Sequence, residues 1–177
     1  MTVRKVLSMG NAQLLRRAVE VTIFNSDELK TLLADMRDTM LAMQGVGLAA
    51  PQIGVNQRVI IFGVEKNDRY PDAEVVPDTV LINPVITYLT DAQEDGWEGC
   101  LSVPGMRGLV PRYTRLRYQG QDEFGAQIDR TVSGFHARVV QHECDHLDGL
   151  LYPMRVKDLR YFGFNHELFP DKAVQQE

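Results

Sequence analysis

Residues 141–146 read QHECDH. His142 and His146 stand four apart, and on a helix residues i and i+4 lie one above the other on one face. Two imidazoles held that way can grip one metal ion. Glu143 follows the first histidine and is rotated about 100° around the helix axis, because a turn takes about 3.6 residues. From there its carboxylate can reach a water on the metal without being a ligand. The chemistry these three groups serve is metal-assisted hydrolysis, in which the metal lowers the pKa of water and the glutamate takes its proton. Such a short motif also arises by chance, and the two histidines would then be ordinary hydrogen-bonded side chains of a partly buried helix.

The pair needs a helix, and residues 134–149 supply one. Phe135, Val139, Val140 and Leu147 give this segment apolar positions, and Gly149 stands where a C-terminal stop belongs. Pro153 then opposes continuation.

A catalytic metal needs a third protein ligand, and three candidates compete. The pattern HExxHxxGxxH asks for a histidine at position 152, where Tyr152 stands, so that reading fails. A glutamate farther downstream would be Glu167, the mark of a zinc peptidase. However, Tyr152-Pro153 interrupts the path, and the surroundings of Glu167 are aromatic and irregular. The third candidate is Cys100, in WEGCLSVPG. The chain has two cysteines, and neither has a CxxC partner, which removes a thiolate tetrad or a redox pair. Cys144 lies about 200° around the helix from His142 and suits a small core side chain. Cys100 sits in a glycine-rich, turn-prone stretch where backbone can approach a metal. A Cys/His/His set with one open position would be a catalytic site, not a closed structural one.

Three separated segments, GVGLAAPQIG at 45–54, EGCLSVP at 98–104 and QHECDHLDG at 141–149, resemble the three signature motifs of the peptide deformylase family in order and spacing. The likeness extends from the N-terminal region to about Arg155. It implies removal of the formyl group from the N-terminal formylmethionine of newly made proteins, with N-formylmethionyl nascent peptides as substrates. It further implies that Cys100, His142 and His146 hold one divalent metal ion, Fe2+ foremost, with Zn2+, Ni2+ or Co2+ able to occupy the same ligands. Glu143 would be the general base and then the acid that protonates the leaving amine. Gln52 and the backbone N–H of Leu101 would hold the oxyanion. The peptide would bind extended, pairing with backbone near Val46 and Gly99, an addition of one strand. The methionine side chain would sit near Leu101, Phe135, Arg138, Val139 and His142. Beside the resemblance, the chemistry asks for such donors: formamide hydrolysis builds negative charge on oxygen, and one preorganised donor is worth about 10²–10³ in rate. Gly45 and Gly47 leave room for a substrate backbone.

Other residues would hold these groups in place. A ligand histidine usually donates its second N–H to a carboxylate or carbonyl, and Asp145 and Asp148 are the near neighbours to consider. Glu98 and Arg112 flank the cysteine segment and could pair to fix it. His136 and His166 lie outside the motif and are not expected to be ligands.

The elements that position these residues read as an α+β fold: mixed or antiparallel β-sheets around a central HExxH-bearing helix, preceded by N-terminal helices, in one domain spanning 1–177. Residues 11–18 suggest a short helix. Ser26 caps a longer one with an apolar stripe of Leu29, Leu32, Leu33, Met36, Met40 and Met43, ended by Gly45. Residues 57–64 and 80–89 read as strands, the first leading from the segment of Gln52, and 112–119 with 126–133 as a hairpin. Gln52 and Cys100 are expected on strands facing the motif helix. Residues 65–77 read as a surface loop.

The net charge of −5, with no basic block, argues against direct nucleic-acid binding. No run approaches the roughly 20 apolar residues of a membrane span, and two free cysteines suit a reducing compartment. The expected location is cytoplasmic. Many relatives in the resembling family end in a long basic helix thought to dock on the ribosome. The tail here is short, aromatic and nearly balanced in charge, which puts that association in doubt; Phe162, Phe164, Leu168 and Phe169 are expected to pack it onto the body.

Overall fold

Ser26 opens the first long helix. Its hydroxyl accepts from the Leu29 N–H at 3.2 Å, and Asp27 and Glu28 add negative charge to the first turn, where the helix leaves N–H groups unpaired. This helix, α1, runs Asp27–Ala42 in the computed structural model, which describes residues 2–64 and 75–170. Leu29, Leu32, Leu33, Met36 and Met40 are buried in one cluster with Leu48, Ile53, Val59, Ile61 and Ile82. Met43, expected on the same stripe, is the C-cap and lies exposed. The Gly45 N–H returns to the Met40 carbonyl at 2.9 Å and ends the helix.

Two antiparallel sheets follow. The larger has the order β1 (Gly47–Ala49), β2 (Val59–Val64), β3 (Val76–Tyr88), β6 (Arg115–Gln121) and β7 (Gln127–Ser133). The smaller pairs β4 (Gln93–Cys100) with β5 (Val103–Tyr113) and adds β8 (Phe162–Phe164). One isolated bridge, Val19 with Gln57, is parallel. Strands at 57–64 and 80–89 and the hairpin at 112–133 are therefore present, with shifted ends. The loop reading of 65–77 falls outside the described residues over 65–74, while Val76 and Pro77 already belong to β3.

The motif helix, α2 (Gly134–Leu147), is buried on several sides. Ala137, Val140, Cys144 and Leu147 pack with Ile60, Phe62, Leu81, Leu116 and Tyr118. Each valine, leucine, isoleucine or phenylalanine among them contributes about 1.5–3 kcal/mol when withdrawn from water. Its other faces carry Arg138, Gln141, His142, Glu143, Asp145 and His146. Gln141 fastens α2 to the end of β5: its Nε2 donates to the Tyr113 carbonyl at 2.9 Å, and its Oε1 accepts from the Tyr113 N–H at 3.1 Å.

The expected helix at 11–18 is only a 3-10 turn, Ala12–Leu15. The chain beyond it is drawn out by tertiary bonds, Ala18 N–H to Leu147 O and Arg58 N–H to Val19 O, each 2.8 Å. Upstream, Leu7 N–H bonds Gln52 O at 2.8 Å and Met9 N–H bonds Ser102 O at 2.7 Å, so the first residues tie two site segments together.

After α2, a short helix, α3 (Asn165–Leu168), closes the described chain. Phe169 meets Trp97 edge-on with ring centroids 5.0 Å apart, and Phe162 meets Tyr152 at 6.2 Å. Phe164, expected inside, is exposed and stacks on His166. No described helix is long and apolar enough to cross a membrane.

Candidate active site

Cys100 is the last residue of β4, and the β4–β5 register is irregular between Glu98 and Cys100. Such a bulge re-aims the side chain that follows it. Cys100 Sγ lies 3.3 Å from His146 Nε2. The donor atoms of Cys100, His142 and His146 all fall within 4.8 Å of one another. Ligand bonds of about 2.0–2.3 Å around a tetrahedral ion place neighbouring donors about 3.5 Å apart, so this set fits one ion. Glu167 cannot complete it: the residue is exposed and lies beside His166 at 3.5 Å. Among the candidates for a third ligand, Cys100 is the one whose donor atom lies with those of His142 and His146.

Charge in the site is mutually supporting. Burial pushes the Cys100 thiol up, but His146 and His142 outweigh it and hold the group well below the usual thiol value. Burial pulls the His142 imidazole down, but Cys100 and Glu98 outweigh that and raise it. The Ser102 N–H at 3.4 Å and the Gln52 Nε2 at 3.5 Å also point at the sulfur. A thiolate is the form a metal binds.

His142 Nδ1 meets Glu98 Oε2 at 2.9 Å, which turns Nε2 toward Cys100 and His146. The carboxylate partner is thus Glu98, not Asp145 or Asp148. Asp145 instead bridges Arg112 at 2.6 Å and Arg155 at 2.6 Å, and Asp148 pairs with Arg58 at 2.8 Å. The expected pairing of Glu98 with Arg112 is present and two-pronged, at 2.8 and 2.9 Å. Burial raises the Glu98 carboxyl, but Arg112 and His142 overcome this and hold it well below the usual carboxylate range.

Glu143 is buried beside the ligands, and its Oε2 has no hydrogen-bond partner. Burial raises its pKa to about 7, opposed by the nearby histidines. The space at Gly47 is taken by this side chain: a Cβ there would lie 2.3 Å from Glu143 Oε1. Gln52 stands in a 3-10 turn, Ala50–Ile53, rather than on a strand. Its Oε1 accepts from the Ala49 N–H at 2.8 Å, which leaves the amide nitrogen facing Ser102 Oγ at 3.1 Å and Cys100.

Gln52, Cys100, His142 and Glu143 share one cleft. It is also lined by Val46, Gly47 and Gly99, the backbone-contact candidates, and by Leu101, Phe135, Arg138 and Val139. His146 is buried and meets the site through Cys100.

The family model for polypeptide deformylase matches residues 3–161. The chain belongs to the polypeptide deformylase family. It is 65% identical to peptide deformylase 1 of Nitrosomonas europaea over 99% of each chain, and 64% identical to peptide deformylase 2 of Ralstonia nicotianae over 96% of each. Its fold matches the Met-Ala-Ser-bound class I type b peptide deformylase of Acinetobacter baumannii with a TM-score of 0.85, at 39% identity over 88% of this chain and 99% of that one. The α+β expectation and the enzyme class, a deformylase, both hold.

Around this deformylase cleft stand residues the sequence did not single out. Gln44, in a left-handed conformation at φ 50°, and Trp97 line it. Gln141 precedes the first motif histidine and locks α2 to β5; its place inside the motif was the available signal. The bonds made by Arg138 and Arg155 had no signal, because their partners are distant in sequence.

Proposed function

We propose that this deformylase hydrolyses the formyl–amide bond of N-formylmethionyl peptides, releasing formate and a free methionyl amine. The observation that carries this reading is the Cys100, His142 and His146 donor set with Glu143 beside it in one cleft. The divalent ion these residues would hold supplies Lewis acidity to water and to the formyl carbonyl. One thiolate and two imidazoles suit Fe2+, Zn2+, Ni2+ or Co2+, with availability deciding among them; the family resemblance is what favours Fe2+.

Glu143 takes the proton of the attacking water on a carboxylate oxygen and delivers it to the amine nitrogen as the C–N bond breaks. A proton affinity near neutrality, set by burial, suits a group that must both accept and release a proton. Gln52 Nε2 and the Leu101 N–H donate to the oxygen that gains negative charge. Because Ala49 already holds the Gln52 carbonyl, the donor is oriented before substrate arrives. Glu98 keeps His142 turned toward its partners.

The peptide lies extended along Val46, Gly47 and Gly99, so main-chain bonds give affinity for any sequence. Leu101, Phe135 and Val139 offer the apolar surface for the methionine side chain. The Met-Ala-Ser bound by the Acinetobacter baumannii relative is what deformylation of formyl-Met-Ala-Ser leaves, which supports this class of substrate. Nascent chains in the cytoplasm are the proposed partners. The test compares formyl-, acetyl- and unblocked Met-Ala-Ser. Formate from the first, with the others untouched, is expected. Scission of the Met–Ala bond in the unblocked peptide would overturn the reading in favour of a peptidase.

A further inference from the structure

Arg138 stands one helical turn before His142 and lines the cleft. A guanidinium there could grip a substrate carbonyl or carboxylate. Both of its terminal nitrogens are instead engaged by the protein. Nη1 reaches Glu98 Oε1 at 2.9 Å and the Val110 carbonyl at 2.9 Å, with the Gly96 carbonyl at 3.5 Å. Nη2 reaches the Glu94 carbonyl at 2.7 Å. Gly96 and Val110 are opposite residues of the β4–β5 ladder, so one side chain of α2 clamps both strands of that hairpin.

Gly96 is matched to this clamp. A Cβ at that position would lie 2.6 Å from Arg138 Cζ and 2.7 Å from Nη2. Glu98 is matched too. A carboxylate offers about four lone-pair sites, and four donors use them. Oε1 takes Arg112 Nε and Arg138 Nη1; Oε2 takes Arg112 Nη2 and His142 Nδ1. With every site filled, the carboxylate cannot rotate without breaking a charged hydrogen bond.

We propose that Arg138 is a positioning residue of the metal centre: by binding Glu98 and the β4–β5 backbone together, it fixes both the carboxylate that orients His142 and the strand that ends in Cys100. The proposal rests on the reading of Cys100, His142 and His146 as the metal ligands. Those three ligands come from two elements, Cys100 from β4 and both histidines from α2, and Arg138 is a bridge between the two. Its loss frees the elements to separate and frees His142 to turn.

The test uses full-length protein loaded with Co2+ and follows three readouts: release of the ion to a chelator, the thiolate-to-cobalt absorption band, and kcat and KM for formyl-Met-Ala-Ser. Partners that orient a metal ligand are typically worth about 10–100-fold in affinity or activity. Arg138→Met keeps the apolar stem. It should release cobalt about 10–100-fold faster, perturb the absorption band and lower kcat, with KM held within about threefold. Arg138→Lys keeps the charge but not the fork and should recover part of the retention. Gly96→Ala leaves every ligand and Arg138 itself in the sequence, yet displaces the guanidinium. It should act in the same direction, and the Gly96→Ala/Arg138→Met double variant should be no worse than Arg138→Met. These two further variants keep the test decisive should Arg138→Met fold poorly. A raised KM with kcat and cobalt retention unchanged would make Arg138 a substrate contact and overturn the proposal, as would unchanged retention in Gly96→Ala. Failure of the deformylase reading is distinguishable: the cobalt-loaded parent protein would then release no formate, while the retention comparison still tests Arg138.

Discussion

Gly47 is the position where a single methyl group should be most informative. The ideal Cβ would lie 2.3 Å from Glu143 Oε1, 2.7 Å from Cδ and 2.9 Å from Cγ. Carbon and oxygen ordinarily approach no closer than about 3.3 Å, so the carboxylate must move by about 1 Å. Glu143 is 4% exposed and has little room to move without leaving its place beside the ligands. A 1 Å misplacement of a reacting group costs about 10²-fold, which is about 2.7 kcal/mol in the barrier. Gly47→Ala should therefore lose about 10²-fold in kcat/KM. The backbone itself tolerates alanine: Gly47 is paired with Phe62 in β1–β2 and is absent from the left-handed residues. Initial rates of formate release should be read beside thermal unfolding and metal content, both expected to stay near the parent values. Adding Gly47→Ala to Glu143→Ala should cost little more than Glu143→Ala alone, because both act on one group. A Gly47→Ala enzyme within about threefold of the parent, equally stable and equally loaded, would refute the reasoning. Glu143 would then either move freely or not be the base.

Cys100→Ser should abolish stable metal binding, whereas Glu167→Gln should leave the metal content unchanged; metal analysis after desalting decides between them. Gln52→Leu removes one donor to the oxyanion and should lower kcat by about 10²–10³, read in steady-state formate release with metal content checked. Arg112→Met leaves the Glu98 and Asp145 carboxylates without a buried cation that each now meets. Breaking such a pair costs about 3–5 kcal/mol, so the Tm should fall by about 6–20 °C.

The parts legible in the sequence were those fixed by local period or local capping. The four-residue spacing of His142 and His146 required a helix, and α2 supplies it. Ser26 announced the start of α1, and the alternation around residues 115–133 announced β6 and β7. Cys100 was expected on a strand and ends β4, but the pairing of β4 with β5, which also brings in Glu98 and Arg112, was not legible. Gly96, Gly99, Pro104, Gly105, Gly108 and Pro111 give that stretch the look of a loop. In the fold, two of those glycines serve close contacts instead: Gly96 makes room for Arg138, and Gly108 for Val156, Tyr152 and Phe162. The carboxylate partner of His142 was sought among its neighbours, Asp145 and Asp148. It is Glu98, 44 residues upstream, because pairing across elements, not sequence distance, sets which charges meet. The third ligand was open on spacing alone; the fold brings Cys100 Sγ to 3.3 Å from His146 Nε2 and leaves Glu167 exposed. The helix expected at 11–18 is only the 3-10 turn Ala12–Leu15, because the chain beyond it bonds to Leu147 and to Arg58 instead.

The measurement to make first is formate release from formyl-Met-Ala-Ser by anaerobically purified protein, with metal counted on the same sample. Release that rises in proportion to metal, up to one ion per chain, is the predicted result. A fully metallated sample that releases no formate would contradict the proposed function of this cleft.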